Sequence, residues 1–397
     1  MPFAYKLDFV QEEKLMKLTI RILALVLAMV TTFTLIGCHQ KDEVVLTVGD
    51  VEITSGLYLA FQLEGYSKLM DGVNSQLSAS SAAGEITKYS DYFNYTYEDQ
   101  TASDYINSQA LALALEYALV QQKYKEFGLE LTKDQIAYTE DYAKYYWENG
   151  EKEYYEPNGV GLESYKKLVT FRTMKSVIFE YYYGKKDAST GKGGLYTVAD
   201  ADLKKALAEN YVLANTLTID LVPSQESGVK EYTAAQKAEF KKDLQGKVDK
   251  YNKGTSFDAI YKEVYNQEPQ SNVQETEDLK TIYPKSAGVF SKDSSDATLY
   301  NLLKDKKAAD DFKYGTAYLV GGDDAGQYSM AIIYDIAKDP YYLEQYRSDL
   351  LYILKDEEFT AKLAEEAKGL TVNKNQSLVD FYKPTNIDYD TVEENMQ

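Results

Sequence analysis

Few side chains in this sequence can do covalent or metal chemistry. Among 397 residues there is one cysteine, Cys38, and one histidine, His39, and the two are neighbours. A single cysteine excludes a disulfide framework, and a single histidine excludes most His-based metal and catalytic sites. What remains is one thiol that can be acylated, with many carboxylates and phenols. The carboxylates group at Gly321-Gly322-Asp323-Asp324, at Asp356-Glu357, at Glu365-Glu366 and between Asp200 and Glu209. A calcium loop needs regularly spaced oxygen ligands, which the first group lacks, so it reads as a hairpin turn. The other three fall on expected helices and read as solvated faces. No G-x-S-x-G, Walker-type or G-x-G-x-x-G pattern occurs, so serine-hydrolase and nucleotide-binding chemistry have no support. Neither a metal nor a cofactor is expected.

The phenols are the compositional oddity, with 38 tyrosines against one tryptophan. Tyrosine is amphipathic, and the clusters Tyr145-Tyr146-Trp147, Tyr154-Tyr155 and Tyr181-Tyr182-Tyr183 allow two readings. They can line a groove that holds extended peptide by stacking and hydroxyl contacts. Alternatively, helical spacing divides each cluster between core and solvent, which is the plainer reading. Charge narrows the partners: 43 basic against 63 acidic residues leave a formal net charge of −20. Nucleic acid is excluded as a partner, because phosphate binding needs clustered Lys and Arg. The 44% hydrophobic content is too high for a disordered chain, and the length suits two domains or one large one.

The cysteine sits at the end of an address. Lys17 and Arg21 form a positive start, and Ile22 to Ile36 is an uncharged, mostly apolar run. That run is shorter than the roughly 20 residues of a membrane-spanning helix. It ends at Leu35-Ile36-Gly37-Cys38, which resembles the bacterial lipobox. There a signal peptidase cuts before the cysteine and the thiol carries a diacylglyceryl group, so acyl chains replace the lost apolar helix as anchor. Met16 makes a more typical start than Met1, and His39 reads as linker. Removing residues 1–37, with four basic and three acidic side chains, leaves 39 basic and 60 acidic residues, net −21.

The elements beyond the address follow from pattern and punctuation. Val44 to Val48 and Val51 to Thr54 flank Gly49-Asp50 and suggest a hairpin, with Ser55 capping a helix from about Gly56 to Leu77. Ser78 to Thr101 has no helical period and reads as a long surface loop. Helices are expected over Ser103 to Phe127, from a capping box at Thr132 to Gln135 up to about Gly150, and over Leu162 to Tyr183. Residues 185–196 read as a linker. Thr197 is expected to cap a helix to about Tyr211, followed by a strand from Val212 to Val222. Thr233 to Gln236 opens a helix ending near Gly254, and a short helix starts at Phe257. After a polar loop, strands Thr316 to Val320 and Tyr328 to Ile336 flank the Gly321 to Asp324 turn. Pro340 precedes one long amphipathic helix to about Lys368. No repeat of solenoid length is visible.

This order resembles a known family. A lipobox comes first, then "VVLTVGDVEITSGLYLAF", a helical region, and "TVADADLKKALAENYVLANTLTIDL" leading into "YNKGTSFDAIYKEVYN". Together they resemble the PrsA-type and SurA-type extracytoplasmic foldases over roughly residues 43–370. The resemblance implies a mainly helical α+β fold, in which N- and C-terminal segments form a discontinuous helical chaperone domain around a small inserted parvulin-like α/β domain. The organisation it implies is signal peptide 1–37, anchored linker 38–43, helical chaperone domain 44–184, linker 185–196, parvulin-like domain 197–339, and a C-terminal helix and tail, 340–397, completing the chaperone domain.

Matched residue by residue, the parvulin part departs from its family at the positions that matter. The family's A-x-H-I-L strand resembles Ala214-Asn215-Thr216-Leu217-Thr218, with Thr216 at the histidine. Its G-x-x-F is kept as Gly254 to Phe257. Its G-G-D-L-G-x-F loop resembles Pro284 to Phe290, keeping Gly288 and Phe290, with Ser286 at the acidic position. Its L-K-x-G resembles Phe312-Lys313-Tyr314-Gly315. Its Y-G-Y-H-I-I strand resembles Tyr328 to Ile333, with Ala331 at the second histidine. Rotating an X-Pro amide means crossing a barrier of about 18–20 kcal/mol without breaking a bond. An isomerase does this by desolvation and by hydrogen bonds that favour the twisted amide. With both histidines and the acid replaced, no catalytic residue is assigned and efficient isomerisation is not expected.

The resemblance therefore implies a lipoprotein tethered through Cys38 to the outer face of the cytoplasmic membrane, which binds unfolded or secreted polypeptides. Phe257, Phe290, Tyr328 and Met330 are its peptide-binding candidates. Two alternatives stay open: an active prolyl isomerase working through Thr216, Ser286 and Tyr328, and a solute-binding lipoprotein of a transporter. The second predicts alternating βα units in two lobes.

Overall fold

A computed structural model describes residues 43–79, 86, 88–188, 191–223 and 231–387. The expected signal segment, Cys38 and His39 lie outside the described residues. In chain order come strands β1 (Val44–Val48) and β2 (Val51–Thr54), then helix α1 (Ser55–Ala79). A 3₁₀ turn at Tyr89–Asn94 leads to β3 (Thr96–Tyr97) and β4 (Gln100–Thr101). Helices α2 (Ala102–Phe127), α3 (Lys133–Tyr146), α4 (Lys152–Tyr155) and α5 (Leu162–Tyr183) follow. Next are α6 (Asp200–Asn210), β5 (Tyr211–Asp220), α7 (Ala234–Asn252), α8 (Phe257–Tyr265) and β6 (Gly288–Ser291). Then come α9 (Ala297–Lys307), β7 (Ala317–Gly322), β8 (Gln327–Tyr334), α10 (Pro340–Gln345) and α11 (Arg347–Ala367). The chain closes with β9 (Val372–Lys374) and α12 (Gln376–Phe381). The fold is mainly helical α+β, as expected. Among the described residues no helix is long and apolar enough to cross a membrane.

Two compact units share this chain. The described residues up to Glu180 and from Glu358 form one, and Tyr181–Glu357 form the other. In the first, Gly49 at φ +60° lets β1 turn tightly into β2, and β9 from the far end of the chain pairs antiparallel with β1. The C-terminal tail is thus a sheet strand, with Leu46 opposite Lys374 and Val48 opposite Val372. Helices α1 and α2 approach closely at Gly65, where a side chain would meet the Ile106 carbonyl oxygen at 3.1 Å. Phe61, Ile106, Ala110, Ala114, Ile178 and Leu363 are fully buried here, and Phe179 meets Phe359 edge to face at 5.2 Å.

The second unit is built on an antiparallel sheet in the order β6-β5-β8-β7. Alternation along the strands sends Val212, Ala214, Ala331 and Ile333 to one face, where Leu299, Tyr300 and Leu303 of α9 cover them. The amide of Asn252 at the end of α7 exchanges two hydrogen bonds of 3.0 Å with the backbone of Ala317, fixing α7 to the start of β7.

Five expectations are corrected. Ser78 to Thr101 is not a featureless loop: its described part contains the 3₁₀ turn and the β3–β4 hairpin. Glu98 and Asp99 both have positive φ there, as the tight turn requires, and Tyr92 and Phe93 pack on Tyr66. Thr197 does not cap α6, which starts three residues later from Ala199, whose carbonyl accepts the first helical bonds. The polar loop before β7 holds strand β6 and helix α9; Asp296 caps α9 with a 2.7 Å bond to the Leu299 amide. Ser55 is the first residue of α1, its amide donating to the Glu43 carbonyl at 2.9 Å. The long C-terminal helix is divided at Tyr346 into α10 and α11, and the Tyr346 ring lies 4.6 Å from that of Tyr211, tilted by 37°.

Candidate functional site

A cleft of about 320 Å³ opens at the β5–β6 edge of the second unit. Its floor is Ala214 and Thr216 of β5 with Gly288 and Phe290 of β6. The two strands are in register there, Val212 opposite Phe290 and Ala214 opposite Gly288. One wall is α8, whose Ser256 cap starts the helix so that Phe257 and Tyr261, four residues apart, share the face toward the cleft. Their rings lie 5.9 Å apart. The other wall is the loop through Gln267, Pro269, Gln270 and Asn272, with Ser286.

That loop has no regular structure, so side chains must hold it. The buried Asp339 carboxylate accepts from the Thr281 hydroxyl at 2.5 Å and from the Ile282 and Tyr341 amides at 3.0 Å each. The Tyr341 hydroxyl donates to the Gln274 carbonyl at 3.3 Å. Asn272 bridges the loop's two ends: its amide donates to the Lys285 carbonyl at 2.7 Å, and its side chain to the Ser286 carbonyl at 3.1 Å. Lys285 pairs with Glu275 at 2.7 Å, and this hydrogen bond, aided by the Thr281 amide, holds the Glu275 carboxyl below its usual range. Ser286 accepts from Asn215 at 3.0 Å, and Asn215 accepts from the Tyr334 hydroxyl at 2.9 Å. Burial, reinforced by Tyr251, pushes the Tyr334 phenol well above its ordinary value, so it stays a neutral donor.

Four of the residues singled out from sequence meet in this cleft: Thr216, Ser286, Phe257 and Phe290. Three do not. Ala331 is the register partner of Thr216, so the two positions matched to the family's histidines face each other across β5 and β8. Ala331 is nevertheless 0% exposed, sealed in the α9 cluster. Met330 is also 0% exposed and points to the opposite face of the sheet. Tyr328, 7% exposed, donates its hydroxyl to Asp323 at 2.6 Å at the far end of β8. The expected turn there is a 3₁₀ turn at Asp323–Ala325. Sequence reading missed Tyr261, Asn272, Asn215 and Asp339. Tyr261 could be found from its i+4 spacing to Phe257, and Asp339 from its place before Pro340, a helix-start signal.

The cleft offers aromatic faces, hydroxyls and amides, and no carboxylate, amine or imidazole lines it. It can enclose an apolar ring and hydrogen-bond an extended backbone, but it holds no side chain for proton transfer near neutral pH. Among the described residues no group of three or more His, Cys, Asp or Glu side chains is placed to hold a metal ion.

Two solved foldase structures are similar to this chain. Foldase protein PrsA from Streptococcus pneumoniae is 15% identical, with a TM-score of 0.34, over 69% of this chain and 90% of that one. PrsA from Bacillus subtilis is 18% identical, with a TM-score of 0.26, over 66% of this chain and 84% of that one. Both are PrsA structures, of the type that the sequence resembles. No protein-family model matches the chain, and no curated protein matches it.

Proposed function

We propose that this chain is a membrane-anchored extracytoplasmic chaperone of the foldase type, whose parvulin-like domain holds peptide and does not isomerise it efficiently. The observation that carries this reading is the cleft itself, where Thr216, Ser286, Phe257 and Phe290 meet. The aromatic part suits a proline or other apolar side chain, and the hydroxyls and amides suit the backbone beside it. The ionisable groups of the resembled family are absent from the matched positions. In this reading Cys38 carries the lipid, and residues 197–339 form a parvulin-like domain between segments 44–184 and 340–397 of a helical chaperone domain.

The two alternatives fare differently. An active isomerase would use Thr216, Ser286 and Tyr328 together, and the Tyr328 hydroxyl is engaged by Asp323, away from the cleft. A solute-binding lipoprotein would use parallel βα units, whereas the strand pairs described here are antiparallel. The test is aggregation of several chemically unfolded clients in the presence of the soluble fragment from His39 onward. Suppression at near-stoichiometric ratios is expected, and none for any client would remove the chaperone reading.

A further inference from the structure

Helix α3 is amphipathic in the wrong sense for a helix stabilised by its core. Its buried residues are Thr139 and Ala143, both small, while its largest side chains face solvent. Tyr138 is 65% exposed, Tyr145 61% and Tyr146 41%, and Tyr142 is half-buried between them. Tyr138, Tyr142 and Tyr146 recur every fourth residue and stack as a ladder, with centroids 5.8 and 4.2 Å apart. Tyr145 stands edge-on to Tyr146 at 5.3 Å. The ladder is about 12 Å long at the helical rise, the span of roughly four residues of extended peptide.

A second observation says what would lie there. Asp134, Asp141 and Glu148 are exposed and spaced seven residues apart, which sets them in a row alongside the tyrosines. From Glu130 to Glu156 the chain has eight acidic and three basic residues, a net −5 (3 − 8). The nearby Arg172 is held by Glu64 at 2.7 Å. Exposed phenol faces beside unneutralised carboxylates attract a cation from two directions: the ring quadrupole holds it over the face, and the acid row draws it in. Tyr138, Tyr145 and the acid row, all exposed, take little part in the packing of α3.

We infer that the tyrosine ladder of α3 is a docking surface for extended, unfolded polypeptide segments carrying lysine or arginine. This rests on the chaperone reading and gives it a client chemistry. The cationic head lies over a phenol ring while its carboxylate neighbours balance its charge, and the aliphatic stem covers the rest of the ladder. Acidic segments are repelled, so the surface selects by charge as well as by apolar area.

The test is fluorescence anisotropy of a dye-labelled unstructured peptide rich in lysine, titrated with the full mature chain. A counterpart with glutamate at the lysine positions is run beside it. Tyr138→Ser with Tyr145→Ser is expected to weaken binding about 5- to 30-fold, the size of two exposed cation–π contacts. Tyr138→Phe with Tyr145→Phe should leave binding little changed, because the ring face is retained. Asp134→Asn with Asp141→Asn should weaken binding and flatten its salt dependence. Equal affinity of the Ser variant and the wild type, or equal binding of the glutamate peptide, would overturn the ladder assignment. If that variant still suppressed client aggregation, the chaperone reading would stand without it. Absence of suppression by the wild-type chain would instead remove the reading on which the ladder rests.

Discussion

Thr216 and Ala331, the positions that resemble the foldase family's histidines, sit in two different surroundings. Thr216 keeps a hydroxyl at the cleft floor, while Ala331 is part of an apolar cluster with Tyr300 and Leu303. An imidazole at position 331 would have to displace the apolar side chains of that cluster, and burying it among them costs up to a few kcal/mol. Restoring the pair therefore needs a second change in α9 and not a single substitution. In the other unit, one half-buried carboxyl contributes to the dependence of stability on pH. Glu151 lies beside Tyr154, Tyr155, Tyr165 and Glu64, and burial raises its carboxyl above the usual range, against the opposing pull of Arg172. A folded-state carboxyl with a raised value binds its proton more tightly than the unfolded chain does. Its contribution therefore favours the fold at acid pH and is lost as pH rises through the folded value. Glu151→Gln is expected to stabilise the protein at neutral pH, and the gain should vanish below the ordinary glutamate range. Urea midpoints across pH 3 to 8 read this directly, and a variant less stable than wild type at pH 7 would contradict it.

Among the elements, the β7–β8 hairpin carries the sheet edge that frames this fold. Gly321 has φ +93°, and a side chain there would lie 2.2 Å from the Gln327 carbonyl oxygen. Gly321→Ala should cost about 1–3 kcal/mol from the backbone conformation alone, with the clash adding to it. A denaturant midpoint unchanged from wild type would show that the turn rearranges freely. Elements with punctuation were readable in advance. Thr132 with Gln135 and Thr233 with Gln236 form their capping boxes, and Gly128 ends α2 in the left-handed conformation. Elements without it were not. In α9, three buried positions, Leu299, Tyr300 and Leu303, stand against four charged residues, and its N-terminal signal, Asp296, lies in a serine-rich stretch. Strand β6 has only four residues, and its register comes from β5, distant in sequence. The division at Tyr346 carries no glycine or proline signal, and the Tyr211 ring that it meets is distant in sequence. The cleft divided in the same way. Phe257 and Phe290 carried local motifs, whereas Asn272 and Asp339 act through a loop whose path depends on tertiary bonds.

At the scale of the whole molecule, the chain carries a formal net charge of −20, which suits the weak, reversible capture of the proposed function. An acidic balance of this size favours encounters with basic chains, more so at low salt. The tail strand β9 pairs with β1 near the start of the described chain, so one unit is closed by residues from both chain ends, with Tyr181–Glu357 between them. In the proposed function the second unit binds proline-containing segments without catalysing their rotation. Exchange NMR on a panel of X-Pro peptides, with the soluble fragment at catalytic and then stoichiometric amounts, tests it most directly. Unaccelerated cis–trans exchange at catalytic amounts and broadened peptide resonances at stoichiometric amounts are expected, with the broadening reduced in Phe257→Ala. Accelerated exchange at catalytic amounts would contradict it and show a rebuilt active site.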